Sequence, residues 1–249
     1  DLLKLFKGGF STGHGFLREP NNIQSYSALA CIAIQSNQND QHGGQSIVNF
    51  DYGLAPGVAK TYKKLYLVNL KKAAEILAPS RELSLRDFKT MAAEIEAVSG
   101  LKPQLGGNAE YEKLELAKLT ALLGYEDNAR QAQAFAIKNT EGETDHSTYQ
   151  AMEALIHNLN TMHSRAGAQT PFSSINYGMD TTPEGRMVIK NVLLATEAGL
   201  GHGETPIFPI HIFRVKEGIN YNPGEPNYDL FQLACRVSAK RLFPNFSFV

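Results

Sequence analysis

Apolar positions along this chain recur at two periods, and the change of period divides it. From Ser27 to Ile34 the spacing is helical, so a helix is expected after Pro20, capped by Asn21 or Asn22 and running to about Asn37. Ile47 to Phe50 is a short apolar run, expected as a buried strand. Pro56-Gly57 is expected to break the chain before a long helix from Val58 to Leu77. Amphipathic helices are then predicted over Ser84 to Val98, Tyr111 to Leu123 and Glu126 to Ile137. Roughly Leu83 to Lys138 carries no strand signal, and we expect it to be a helical insertion. A further long helix, Asp145 to Arg165, is expected to end at Gly167.

Beyond Gly167 the pattern alternates. Thr170 to Tyr177 reads as a strand, Pro183 to Ala198 as a helix, Ile207 to Val215 as a strand and Tyr228 to Leu242 as a helix, with another strand beginning at Phe246. Strand and helix in alternation imply right-handed crossovers and a parallel sheet, so the fold class is α/β.

The densest polar run, Gln38 to Ser46, falls between the first helix and the first strand. Its amides, its imidazole and Gly43-Gly44 suit polar recognition close to backbone. Taken alone, the run reads as a turn rather than a site. Gly199, Gly201 and Gly203 imitate a dinucleotide fingerprint, but they follow a helix and precede a strand, the reverse of a phosphate-cradling turn. They read as a helix cap and a tight loop. His157 and His163 lie six apart in one predicted helix and point to different faces, so no metal site is assigned. His163 reads as a cation at a helix end. The lysines between Val58 and Lys72 suit a triphosphate, although a solvated helix face is the commoner outcome. Thr170 to Gly178 alternates small polar with apolar residues, placing a polar set where parallel sheets receive ligands.

Composition narrows the classes. The 249 residues carry a net charge of -1, which advertises neither nucleic acid nor membrane binding. No apolar run is long enough to span a bilayer. Two cysteines, Cys31 and Cys235, sit in apolar helical patterns and read as buried hydrophobes in a reducing compartment, so a cytoplasmic location is expected. The chain opens without methionine and stops on Asn245 to Val249, which reads as a strand being entered, so we expect a fragment of a longer protein.

Several blocks together resemble the anaerobic (class III) ribonucleoside-triphosphate reductases of the glycyl-radical family. They are Gly9 to Gly15 and on to Pro20; Gln35 to Ser46; Tyr149 to Glu153 through His157 to His163; Gly167 to Phe172; Gly199 to Gly201 through Phe208-Pro209; and Asn227 to Asp229 through Phe243-Pro244. They follow the family's order over nearly the whole chain, apart from the helical stretch at about 83–138.

The resemblance implies a ten-stranded α/β barrel of two five-stranded halves, with this chain as the N-terminal half-barrel and its flanking helices. It implies reduction of ribonucleoside triphosphates by a glycyl radical and a cysteine thiyl radical. The radical is installed by a separate radical S-adenosylmethionine activating enzyme, and formate is the expected reductant. The reactive cysteines, the radical glycine and a zinc site are expected outside this chain, so no catalytic or metal-binding residue is assigned within it. The substrate-binding residues implied are Ser173, Ser174 and Asn176, with Gln41, His42, Gly43 and Gly44. Gln35, Asn39, Lys63 and Lys64 are the expected contacts for an allosteric deoxynucleoside triphosphate or ATP at a homodimer interface. Gly178 to Gly185 is expected to carry the message between these sites. The alternatives are another glycyl-radical barrel, of formate-lyase type, and a nucleotide-sensing dimerisation module without enzymatic activity.

Overall fold

The computed structural model describes residues 1–13, 15–41, 43–163 and 169–249. In chain order the elements are α1 (Leu2–Phe6), β1 (Phe10–Ser11), β2 (Phe16–Leu17), α2 (Ile23–Asp40), β3 (Gln45–Ile47), α3 (Phe50–Leu77), α4 (Leu85–Ser99), α5 (Ala109–Leu123), α6 (Glu126–Thr161), β4 (Ser173–Tyr177), α7 (Pro183–Ala198), β5 (Ile210–Val215), α8 (Tyr228–Arg241) and β6 (Asn245–Phe248). They fall into two compact units, one of Asp1–Val58 with Ser147–Val249, the other of Ala59–His146.

The first unit is built on a parallel four-stranded sheet in the order β3-β4-β5-β6. This mixed α/β architecture matches the α/β class, and the parallel sheet has four strands among the described residues where the resemblance implies five. Tyr177, Phe213 and Val215 lie on the face that α7 and α8 cover, each 1% exposed or less. Phe213 meets Phe231 of α8 and Phe246 of β6 at ring separations of 6.1 and 6.0 Å. Helix α7 starts as its sequence dictates: Thr182 caps it through the Gly185 amide and Pro183 takes the first turn, where no N–H is needed.

The break expected at Pro56-Gly57 is absent, and α3 runs through it. Proline removes one helical hydrogen bond and crowds the preceding turn. Burial compensates here, because Phe50, Leu54 and Val58 are wholly inaccessible. The glycines serve contact rather than rupture. A Cβ on Gly57 would lie 2.8 Å from the Tyr26 ring, and one on Gly53 would lie 2.9 Å from Leu2. The strand expected at Ile47 to Phe50 sits earlier, at Gln45–Ile47, and Phe50 is already helical. A short apolar run fits a strand and a buried helix start equally well. Strands β1 and β2 form a small antiparallel pair, with Phe10 opposite Leu17. Strands β4 and β5 begin three residues later than expected, β5 only after Pro209, which has no N–H for an interior ladder.

The elements of the second unit are all helices among its described residues, and they include the stretch at about 83–138. The two helices expected at 126–137 and 145–165 are one helix, α6, which ends at Thr161. In its polar middle the buried hydroxyls of Thr140 and Thr144 are satisfied within the helix by the carbonyls four residues back, at 2.6 and 2.7 Å. At the centre of this unit, buried Glu115 accepts hydrogen bonds from Tyr66 (2.6 Å), Tyr111 (2.8 Å) and Gln133 (2.8 Å). Burial pushes its carboxyl up, against the pull of those three donors.

Candidate functional site

The pleat of the sheet separates two chemistries. On the covered face, register aligns Gln45 with Ser173, Ile47 with Ile175 and His211, and Tyr177 with Phe213 and Phe246. On the other face it aligns Ser46 with Ser174 and Ile210, Asn176 with Ile212 and Asn245, and Arg214 with Ser247. Side chains of this second face are half-buried or exposed, and six of the eight are polar. Ser174 and Asn176 therefore share the open face. Ser173 does not: it is 2% exposed on the covered face, and its hydroxyl has no hydrogen-bond partner. Asn176 Oδ1 is likewise buried without a partner.

The covered face contains a buried polar chain whose protons can be placed by deduction. Thr196 of α7 donates its hydroxyl to the Val192 carbonyl at 2.7 Å, so its oxygen is left as an acceptor. His211 Nε2, 3.3 Å away, is then the donor and carries the ring proton. Nδ1 accepts from the Tyr177 hydroxyl at 3.0 Å. Burial pushes the His211 imidazole down to about 3, so it is neutral.

At the carboxyl ends of the strands, where parallel sheets bind ligands, the backbone is clamped. Asp51 Oδ2, from the first turn of α3, accepts from the amides of Gly178, Met179 and Asp180 at 2.9, 3.0 and 3.0 Å. Burial raises the Asp51 carboxyl while these amides lower it. Asn220 and Asn227 donate to the Gly178 carbonyl at 2.9 and 3.2 Å, and Asn227 also to that of Asp180 at 2.9 Å. The Tyr52 hydroxyl donates to the Met179 carbonyl at 3.2 Å. The start of the expected messenger loop is thus held from both sides. Sequence reasoning passed over Asp51, Tyr52, Asn220 and Asn227; the one local hint was an acidic residue directly after an apolar run.

Along β3 lies a cavity of about 390 Å³, lined by Asp1, Asn37, Asp40, Gln45, Ser46 and Asn49 among others. Gln45 accepts from the Asn37 amide, which ties α2 to the strand. Two carboxylates and a helix carboxyl end make this cavity suited to hydroxyls rather than phosphate. Gln41 caps α2, and Gly43 has φ +100, a conformation glycine adopts freely. A Cβ on Gly44 would make only ordinary contact with the Phe172 carbonyl, at 3.5 Å. His42 lies outside the described residues.

Gln35 and Asn39 line a neighbouring hollow of about 230 Å³, and Gln35 Nε2 is buried there without a partner. Lys63 and Lys64 belong to the second unit. Lys63 is paired with Glu96 at 2.5 Å, while Lys64 is exposed. The glycines at 199–203 form the expected cap and loop, with Gly199 ending α7 at φ +82. His163 is exposed beyond the end of α6. Cys31 is buried, which pushes its thiol up to about 12, and Cys235 is exposed. No group of three metal-ligating side chains occurs among the described residues. No described helix is long and apolar enough to cross a membrane.

Comparison with known proteins adds a family to this geometry. A family model described as anaerobic ribonucleoside-triphosphate reductase matches residues 1–249. A protein of that name from Escherichia coli (strain K12) is 26% identical over 246 residues, covering 98% of this chain and 26% of the relative. One from Enterobacteria phage T4 is 27% identical, over 98% of this chain and 31% of its own length. One from Haemophilus influenzae is 34% identical over 128 residues, covering 49% of this chain and 18% of the relative. The chain thus spans about a quarter to a third of the two relatives it matches nearly end to end. From one end to the other, it belongs to the anaerobic ribonucleoside-triphosphate reductase family.

Proposed function

We propose that the chain is part of an enzyme that reduces ribonucleoside triphosphates to deoxyribonucleoside triphosphates, and that it supplies one wall of the substrate chamber. The family match over all 249 residues carries this reading. The sheet supports it. Four parallel strands in sequential order, with α7 and α8 on one face, are four of the five that one half of a ten-stranded barrel needs. A fifth strand from elsewhere in the protein would complete the half-barrel.

In this reading the open face looks into the chamber. Ser174 and Asn176 offer a hydroxyl and an amide to the ribose. Ser173 supports them from behind. Gln41, Gly43 and Gly44 border the chamber at the amino end of β3, and His42 is kept as a substrate contact on the resemblance alone. A glycyl radical elsewhere in the protein supplies the one-electron chemistry, with formate as reductant. This chain's part is to position the sugar and, through the apolar layer behind the sheet, to keep water out. The donor set here does not suit zinc, which belongs elsewhere in the protein. Neither Cys31 nor Cys235 is given a radical role.

Gln35 and Asn39 on α2, and Lys63 and Lys64 on α3, are proposed as contacts for an effector, ATP or a deoxynucleoside triphosphate, in a homodimer. The partners are the nucleotides and a radical S-adenosylmethionine activating enzyme. The test is an anaerobic assay of the full-length, activated protein. Formate-dependent formation of deoxynucleoside triphosphate is expected, and its absence excludes the reading. Lys63→Ala with Lys64→Ala should weaken effector binding; unchanged affinity removes both lysines from the site.

A further inference from the structure

Arg214 is the one charged side chain on the open face of the sheet. It is half-buried near the carboxyl end of β5, and among the described residues no carboxylate pairs with it. A partly desolvated guanidinium without a counter-ion is costly unless an anion is supplied. Its surroundings are those of a binding site rather than of a structural ion pair. Ser247 lies opposite it in register on β6. Asn176 sits one strand away and two residues back, about 8 Å between Cα atoms from sheet spacings and within reach of an arginine. The Asn176 Oδ1 atom is buried and lacks a donor. Burial, then the Asp180 and Asp51 charges, push the Tyr52 hydroxyl up, and the Arg214 guanidinium, whose field reaches it, pulls in the opposite direction.

An unpaired planar cation beside an orphaned acceptor matches a ligand carrying an oxyanion and a hydroxyl. We propose that Arg214 is an oxyanion-binding residue of the chamber, gripping the reactants through its two-pronged N–H fork while Asn176 Oδ1 accepts from a ligand hydroxyl. This rests on the reading of the open face as the substrate wall. Two oxyanions enter the proposed reaction, the nucleotide phosphates and formate. The hydroxyl at Asn176 favours the nucleotide.

The experiment is steady-state kinetics of the full-length, activated enzyme, with NTP and formate varied separately, for wild type, Arg214→Gln and Arg214→Lys. Arg214→Gln should raise KM about tenfold or more for one of the two reactants with kcat little changed, the pattern of a contact that holds substrate and transition state alike. Arg214→Lys should restore part of the affinity. A shift confined to NTP assigns the phosphates, and one confined to formate assigns the reductant. Both KM values within twofold of wild type overturn the proposal. Should Arg214→Gln fail to fold, Ser247→Asp decides: a carboxylate placed opposite the guanidinium should compete for it and raise the same KM, and an unchanged KM refutes the idea. A wild-type enzyme inert towards NTP would instead overturn the underlying function.

Discussion

The buried imidazole of His211 makes the stability of this chain fall in acid by a calculable amount. In the unfolded chain the group titrates near 6.5, and in the fold burial depresses it to about 3. A depressed histidine binds its proton more readily when unfolded. Its contribution is therefore complete above 6.5 and is lost as the pH falls towards 3. Between about pH 7 and about pH 4.5 the loss comes to about 2.5 kcal/mol. Carboxylates titrate in the same interval, so the comparison needs a variant. His211→Gln keeps a donor for Thr196 and an acceptor for Tyr177 but carries no ionisable group. Any cost of its shape is the same at both pH values and cancels. Denaturant unfolding followed by circular dichroism, at both pH values, should show wild type losing about 2.5 kcal/mol more than the variant. Equal losses, within about 0.5 kcal/mol, would refute the argument that His211 is held neutral.

Three further predictions concern packing and polar satisfaction. Glu115→Leu strands the buried Tyr66 and Tyr111 hydroxyls and should cost about 3 kcal/mol or more, and Tyr66→Phe, which removes one hydrogen bond to the carboxylate, about 1.5 kcal/mol, both read by denaturant midpoints. Gly57→Ala should destabilise by about 1–3 kcal/mol because its methyl meets Tyr26, whereas Gly142→Ala, in α6 with nothing within 4 Å, should stabilise by about 0.5–1 kcal/mol; equal signs would show that helix propensity alone governs both sites. Asp51→Ala removes the acceptor shared by the amides of residues 178–180, so their hydrogen exchange should accelerate by at least tenfold while that of β5 changes little.

What the sequence made legible was local. Pro183 and Gly199 mark helix ends through backbone geometry that neighbouring residues dictate, and the structure places ends there. The alternation of strand and helix after Gly167 sufficed for a parallel sheet. Contacts between distant segments were not legible. Pro56 is tolerated because Phe50, Leu54 and Val58 are buried beside it, and Leu2 and Tyr26 pack where Gly53 and Gly57 leave room, contacts that no window around Pro56 contains. The same holds within the site. Ser173 and Ser174 are alike in sequence, yet the pleat sends them to opposite faces, and only the docking of α7 and α8 decides which face is covered. Arg214 reads in sequence as an ordinary strand charge; it stands out only when no carboxylate proves to lie beside it.

The order of the strands also sets the entropic cost of assembling them. Strands β4, β5 and β6 are separated by single crossovers of about 30 residues, whereas β3 and β4 are about 125 residues apart. Closing that longer loop costs about 1.2 kcal/mol more conformational entropy than closing one of the shorter ones. The three later strands with α7 and α8 are therefore the contacts closed at the smaller entropic cost, and β3, at the sheet's edge, is the costliest strand to bring in. On a growing chain, β3 emerges first and waits longest for its partner.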